Sequence, residues 1–203
     1  MIKNIIFDFG DVFINLDKEA TARLLINLGF AGITPDLINL FNAYETGTIS
    51  TDSFVEQAGK WVPRANPEEL RQAWNAILLD FPDYRLHFLQ NLSKEAHYRL
   101  FLLSNTNELH LARVIEKMGE ERYNLFLNCF QHCYFSHEVN MRKPDAGIFE
   151  HILNQHQLLP NETLFIDDTE EHVLSAAKLG IQTWHLKVGE DDIVALKTKL
   201  ADD

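Results

Sequence analysis

The chain has 203 residues, 46% of them hydrophobic and 24% charged, which is enough for one full hydrophobic core or for a core domain with a modest insertion. Its formal net charge of −12 argues against nucleic acid as a partner, because proteins that bind a phosphate backbone need a basic surface. The N-terminal stretch lacks the pattern of a signal peptide, no apolar run approaches membrane-spanning length, and two cysteines provide no disulfide framework. We therefore expect a cytoplasmic protein with no membrane partner.

The first part of the chain predicts one strand followed by helices. The apolar run at residues 4–9 indicates a buried strand, and Asp17 is placed to cap a helix at residues 18–28. From residue 34 to about residue 92 the pattern contains no convincing buried strand. Instead, Thr34-Pro35 and Asn66-Pro67-Glu68-Glu69 have the features of helix starts, and Glu69 is positioned to complete a capping box. We interpret this stretch as an all-helical insertion.

The second part of the chain alternates between strands and helices. Strands are predicted at residues 98–103, 133–135, 163–166 and 181–185. Helices are predicted at residues 108–117, after a cap at Asp145, before a stop at Gly180, and at residues 191–200, followed by a solvated tail at residues 201–203. Repeated strand–helix units predict the α/β class, with a Rossmann-like parallel sheet covered by helices on both faces. We assign residues 1–15 and 93–203 to this core, and residues 16–92 to an α-helical cap inserted after the first strand.

Polar side chains follow several of the apolar runs at the point where each run ends. Asp8 follows Ile5-Ile6-Phe7, Ser104 follows residues 100–103, and Asp167 and Asp168 follow residues 164–166. Because buried parallel strands present their C-terminal ends at one edge of a sheet, we expect these groups to meet in one crevice. Lys143, in Arg142-Lys143-Pro144-Asp145, adds a cation. Carboxylates, a hydroxyl and a lysine together suit a divalent metal ion and a phosphoryl group.

Asp8 is the expected nucleophile. A carboxylate at a strand end can attack phosphorus and form an aspartyl-phosphate, which divides a slow hydrolysis into two easier steps. Attack by one anion on another requires charge neutralisation, and Mg²⁺ supplies it through oxygen ligands. The expected metal ligands are Asp8, Asp168 and the main-chain carbonyl of Gly10, and Asp167 is expected to support the metal through water or through Lys143.

Three residues are expected to hold the phosphoryl group. Lys143 would neutralise a phosphoryl oxygen and keep Asp8 ionised. Ser104 and the backbone N–H of Asn105 would bind another oxygen, helped by the N-terminus of the helix that follows.

The order Asp8, Ser104, Lys143, Asp167/Asp168 resembles the four motifs of the haloacid dehalogenase-like (HAD) hydrolase superfamily, and the helical insertion resembles the small α-helical cap of that family. Closer similarity to the branch that contains α-D-glucose-1-phosphate phosphatase is carried by Phe7-Asp8-Phe9-Gly10-Asp11-Val12, Tyr44-Glu45-Thr46-Gly47, Leu103-Ser104-Asn105-Thr106-Asn107 and Arg142-Lys143-Pro144. The resemblance implies a magnesium-dependent phosphatase. Tyr44, Glu45 or Trp74 of the cap should then face the crevice and select the substrate, and the sequence does not show which.

The sequence departs from the usual phosphatase pattern at Gly10. Most members of the superfamily have a second aspartate there, which protonates the leaving oxygen, and such acid–base catalysis typically contributes ~10²–10⁴-fold. The glucose 1-phosphate branch also has glycine at this position, so the resemblance implies that activity can persist. One hypothesis is that Gly10 biases the enzyme towards acidic leaving groups such as those of sugar 1-phosphates. The other is that Asp11 supplies the missing acid from a shifted position.

These observations predict a Mg²⁺-dependent phosphatase that acts on a small phosphorylated metabolite, with a sugar phosphate such as a sugar 1-phosphate as the expected class. Asp8, Asp11 and Lys143 are the candidate catalytic residues, and a monomer or weak homodimer is expected. Two alternatives remain open at this stage. The chain could be a haloacid dehalogenase, which attacks carbon without a metal, although paired aspartates disfavour this. It could also be a weak or non-catalytic regulator that retains the fold.

Overall fold

The computed structural model describes residues 1–201, so Asp202 and Asp203, part of the predicted solvated tail, lie outside the described residues. The core is a five-stranded parallel sheet with the strand order β3-β2-β1-β4-β5, which confirms the predicted α/β class. The strands are β1 (Asn4–Phe7), β2 (Arg99–Ser104), β3 (His132–Phe135), β4 (Thr163–Asp167) and β5 (Gln182–His185).

Side chains alternate between the two faces of the sheet along each strand, and hydrophobic clusters cover both faces. In β1, Ile5 and Phe7 pack into one hydrophobic cluster and Ile6 packs into a second cluster on the opposite face. All three side chains are fully buried. A continuous apolar run in the sequence therefore corresponds to a strand that is covered on both sides.

Within residues 1–201, eleven α-helices surround the sheet or form the insertion after β1. They are α1 (Ala20–Asn27), α2 (Pro35–Glu45), α3 (Thr51–Gly59), α4 (Pro67–Asn75), α5 (Asp83–Glu95), α6 (Glu108–Met118), α7 (Glu120–Leu127), α8 (Ser136–Val139), α9 (Ala146–His156), α10 (Glu170–Lys178) and α11 (Leu196–Ala201). None of the helices described in residues 1–201 is both long and apolar enough to cross a membrane.

Several predicted helix starts are confirmed. The Thr34 side chain accepts a hydrogen bond from the backbone N–H of Leu37, and Asn66 and Glu69 form the complete capping box at α4. The predicted stop of α10 is confirmed as well, since Gly180 follows the helix with a φ of 80°.

Three other helix predictions differ from the structure in their bounds or their capping. The helix predicted from residue 18 begins at Ala20, with Glu19 at the N-cap position. The Asp17 carboxylate accepts from the Glu19 N–H at 3.2 Å and also pairs with Arg23. Asp145 occupies the N-cap position of α9 without forming a side-chain hydrogen bond there. The last predicted helix is split into a 3₁₀ turn at Ile193–Ala195 and α11.

The helices after β1 form a hydrophobic cluster of their own. Leu37, Phe54 and Leu70, from α2, α3 and α4, are buried in it, separately from the two clusters that cover the sheet. By contrast, Leu86 and Leu89 of α5 pack into the cluster on the sheet. We retain the division into core and cap as a proposal, and this packing favours a boundary before α5.

Candidate active site

The parallel sheet brings the predicted site residues to one edge. β1 lies between β2 and β4, and its last residue, Phe7, is in register with residues 102 and 166 of those strands. Asp8 follows β1, Ser104 ends β2, and Asp167 ends β4 with Asp168 directly after it. Side chains separated by up to 160 residues in sequence are therefore adjacent in space.

Lys143 connects two of these carboxylates. Its Nζ lies 2.6 Å from Oδ1 of Asp8 and 2.6 Å from Oδ2 of Asp167, and donates to the main-chain oxygen of Leu103 at 3.0 Å. The side chain is fully buried. Burial opposes the charge, but the carboxylates of Asp167 and Asp8 outweigh it and hold the pKa of Lys143 above its ordinary value. Lys143 is therefore a permanent cation in the site.

Asn105 fixes the backbone at Lys143. The Asn105 side-chain oxygen accepts from the Lys143 N–H at 2.9 Å, and its side-chain nitrogen donates to the Lys143 carbonyl at 2.8 Å. This use of the side chain was not predicted. The expected roles of the Asn105 backbone N–H and of the Ser104 hydroxyl in phosphate binding stay predictions.

Asp8, Asp167 and Asp168 form a cluster that fits a divalent metal ion. One carboxylate oxygen from each lies within 4.8 Å of the others. Carboxylate oxygens are the ligands that Mg²⁺ prefers, and their mutual repulsion is relieved by a cation. The Gly10 carbonyl accepts a hydrogen bond from the Val12 N–H at 2.6 Å, and its second lone pair is free for a further contact.

Asp167 and Asp8 are electrostatically different although both contact Lys143. Burial opposes ionisation of Asp167, but Lys143 and His172 outweigh it and hold the pKa of Asp167 well below its usual range. His172 Nδ1 lies 3.1 Å from Oδ2 of Asp167, and the Thr169 N–H donates to Oδ1 at 2.8 Å. Burial, with the added charge of Asp167, raises the pKa of Asp8 to about 7 against the effect of Lys143.

Lys18 is a site residue that sequence reasoning missed. Its Nζ contacts the Asp168 carboxylate and lies 3.2 Å from Oδ2 of Asp11. Asp11 adopts a φ of 54°, and its Oδ1 accepts from the Leu16 N–H at 2.9 Å. Both Asp11 contacts therefore lie within residues 11–18, and a role of Asp11 as acid stays a prediction. No local pattern marks Lys18, because its partner Asp168 is 150 residues away.

Comparison with known proteins decides the family. The model of the haloacid dehalogenase-like hydrolase family matches residues 5–186. The chain belongs to the HAD-like hydrolase family. The predicted family, its Rossmann-like fold and the assignment as an enzyme of the HAD phosphatase class are confirmed. The closer resemblance to the glucose 1-phosphate branch stays a prediction.

Three relatives illustrate the similarity. D-ribitol-5-phosphate phosphatase of Bacteroides thetaiotaomicron is 29% identical over 197 residues, which cover 94% of this chain and 95% of the relative. The structure of the HAD family enzyme BT-2542 of that organism, in complex with magnesium and inorganic phosphate, has a TM-score of 0.81 and 32% identity, covering 94% of this chain and 97% of the other. An HAD-like family hydrolase from Porphyromonas gingivalis has a TM-score of 0.83 and 29% identity, with 100% of both chains covered.

Gly10, Ser104 and Asn105 of the candidate site line a crevice of about 110 Å³, which extends to Glu45 of α2. Its apolar wall consists of Phe9, Ile14, Leu16, Ile77, Leu78 and Val114. Its polar lining consists of Gly10, Glu45, Ser104, Asn105, Thr106 and His110. The apolar wall and the polar lining together fit a small organic group attached to a phosphate.

His110 lines this crevice, and both of its ring nitrogens contact other parts of the protein. Its Nδ1 lies 3.2 Å from Nδ2 of Asn107, and its Nε2 lies 3.2 Å from the main-chain oxygen of Trp74 in the cap. Burial lowers the pKa of His110 to about 4, so the ring is neutral near pH 7. His110 therefore joins α6 of the core to α4 of the cap and adds no charge to the crevice.

Proposed function

We propose that this chain is a Mg²⁺-dependent phosphatase that hydrolyses the phosphate monoester of a small sugar or polyol, with Asp8 as the nucleophile. The observation that carries the proposal is the cluster of the Asp8, Asp167 and Asp168 carboxylates, in which Asp8 and Asp167 both contact the buried ammonium of Lys143. Support comes from BT-2542, which was solved with magnesium and inorganic phosphate, and from the relative that is named for D-ribitol 5-phosphate.

The proposed reaction has two steps. Lys143 holds Oδ1 of Asp8, and Oδ2 attacks phosphorus while the bond from phosphorus to the ester oxygen breaks. The ester oxygen takes a proton from a water molecule and leaves as an alcohol. The hydroxide that remains attacks the aspartyl-phosphate, the bond between phosphorus and the Asp8 oxygen breaks, and inorganic phosphate is released with the hydroxide proton while Asp8 returns to its carboxylate form. Mg²⁺, when bound by Asp8, Asp168 and the Gly10 carbonyl, supplies charge neutralisation.

Two substrate groups follow from different observations. The absence of an acid at Gly10 favours a leaving group that departs with little protonation, such as the anomeric oxygen of a sugar 1-phosphate. The name of the relative points instead to a primary alcohol on a polyol. Comparing kcat/KM for glucose 1-phosphate, glucose 6-phosphate and ribitol 5-phosphate separates them. A clear preference for glucose 6-phosphate over the 1-phosphate would refute the role given to Gly10.

The function itself is tested by phosphate release with Mg²⁺ and with EDTA. We expect activity with Mg²⁺, loss of activity with EDTA, and loss of activity in Asp8→Asn, which keeps the shape of the side chain but not the nucleophile. Halide release from a 2-haloacid in EDTA would instead establish a dehalogenase. If Asp8 binds beryllofluoride but the protein hydrolyses no phosphate ester, the chain is a non-catalytic regulator.

The remaining parts of the proposal concern the location of the enzyme, the movement of its cap and its oligomeric state. We propose a cytoplasmic location, which is compatible with the free thiols of Cys129 and Cys133. We propose that the cap opens to admit substrate and closes to exclude water. A monomer or weak homodimer is expected, and sedimentation at micromolar concentration measures it.

A further inference from the structure

The crevice beside Asp8 receives one carboxylate from the cap. Glu45 is the last residue of α2, and it lines the crevice together with Ser104 and Asn105 of the core. The phosphoryl group is expected at Ser104 and Asn105, so Glu45 is placed to contact the organic part of the substrate.

The other two cap residues considered from the sequence are used in packing. Tyr44 is 2% exposed, and its hydroxyl is bonded to Thr51 Oγ1 at 2.8 Å and to the Leu109 N–H at 3.2 Å. The Trp74 indole donates to Oδ1 of Asn107 at 3.3 Å. Because the polar atoms of both side chains already have partners in the protein, neither has a free group for a substrate hydroxyl.

Glu45 is held in place by the core. Arg142 Nε and Nη2 lie 3.1 Å and 2.9 Å from Oε2 of Glu45. The turn that follows is also docked, since Asn140 donates to the Thr46 carbonyl at 2.8 Å. Gly47 has a φ of 64°, and a Cβ at this position would lie 2.0 Å from the His137 oxygen, so the close approach requires glycine. The carboxylate therefore has a defined position relative to the nucleophile.

We propose that Glu45, fixed by Arg142, accepts a hydrogen bond from a hydroxyl of the leaving group and so selects phosphate monoesters of polyols and sugars. Both contacts of Glu45 with Arg142 are made by Oε2, which leaves Oε1 for another partner. A carboxylate is an acceptor without a proton to donate, so its natural partner is a hydroxyl. The same charge repels a second phosphate or carboxylate on the substrate and disfavours such compounds. This inference rests on the proposed function.

The test uses two substrates that share a five-carbon chain and a terminal phosphate, ribitol 5-phosphate and n-pentyl phosphate. The measured quantity is the ratio of their kcat/KM values. We expect wild type to prefer ribitol 5-phosphate and Glu45→Ala to lower the ratio about 10- to 100-fold, the effect of one hydrogen bond to a charged group. Glu56→Gln is the matched control, because Glu56 is exposed on α3 of the same cap, and it should leave the ratio unchanged.

Arg142→Met tests whether Arg142 fixes the position of Glu45. Without Arg142 the carboxylate loses its fixed position, so we expect a lower ratio, and Glu45→Ala combined with Arg142→Met should lower it no further than Glu45→Ala does. Equal loss on both substrates in Glu45→Ala would show a structural role and overturn the inference. A wild-type ratio near one would also overturn it while leaving the phosphatase function intact. Failure of wild type to hydrolyse either ester or any sugar phosphate would overturn the proposed function itself.

Discussion

Substitution of Lys143 by methionine tests the electrostatic basis of the site. The ammonium contacts both Asp8 and Asp167 at 2.6 Å and is fully buried. Methionine has a similar length and fills most of the space, but it leaves two carboxylates without their cation. The change therefore isolates charge from packing.

The expected destabilisation follows from the cost of breaking a buried ion pair, about 3–5 kcal/mol. Protonation of Asp8 limits this cost, because its pKa is already raised to about 7 from an ordinary value of 3.8. A carboxyl with a raised folded-state pKa contributes stability that is present below pH 3.8 and is lost as the pH rises through the folded-state value. Removing Lys143 raises the pKa of Asp8 further. The loss of unfolding free energy in Lys143→Met, relative to wild type, should therefore grow between about pH 6 and pH 8.

The assay is urea unfolding of wild type and Lys143→Met at about pH 6 and about pH 8, each in EDTA and in Mg²⁺. Bound Mg²⁺ replaces part of the missing charge, and a free concentration of 100 times Kd would restore about 2.7 kcal/mol. The control is Lys3→Met, which removes a pair with Glu162 in which the Lys3 side chain is 63% exposed, with an expected cost of about 0–1 kcal/mol. A Lys143→Met penalty in EDTA below about 1 kcal/mol at pH 8, or one that does not grow with pH, would refute the reasoning.

Three further predictions follow. Asp11→Asn should keep kcat on glucose 1-phosphate within about tenfold of wild type because its carboxylate is held by Lys18, and a loss of ~10²–10⁴-fold would instead identify Asp11 as the acid. His110 has a pKa of about 4 when folded against 6.5 when unfolded, so the unfolded chain binds more protons between these values. The free energy of unfolding should therefore fall as the pH drops through this window, by up to about 3 kcal/mol, and His110→Gln should flatten the slope. Gly47→Ala should lower the melting temperature, whereas Gly147→Ala, in open space on α9, should raise it slightly.

The fold was predictable where the sequence pattern is local. Buried parallel strands appear as apolar runs, and the caps at Thr34 and Asn66 are formed within one helical turn. The start of α1 was not predictable, because the Asp17 carboxylate binds both the Glu19 N–H and the Arg23 side chain, and the helix begins only at Ala20. The packing of α5 on the sheet was hidden as well, since its apolar stripe could equally have faced the cap.

The site was predictable to the extent that strand ends determine it. Asp8, Ser104 and Asp167 were located because parallel strands end at one edge. The ion pair of Glu45 with Arg142 was not located, although both residues lie in motifs that carry the family resemblance. Pairs that bridge cap and core depend on how the two parts dock, and no spacing in the chain encodes that geometry.

Charge balance explains why an acidic protein needs a metal to bind a phosphate ester. The site contains four carboxylates, those of Asp8, Asp11, Asp167 and Asp168, whereas only two lysines contact them, Lys18 and Lys143. The excess of two negative charges is cancelled by one divalent cation. Since the whole chain has a net charge of −12, no long-range field attracts a phosphate dianion. Binding of the anion must therefore depend on the local metal and on Lys143.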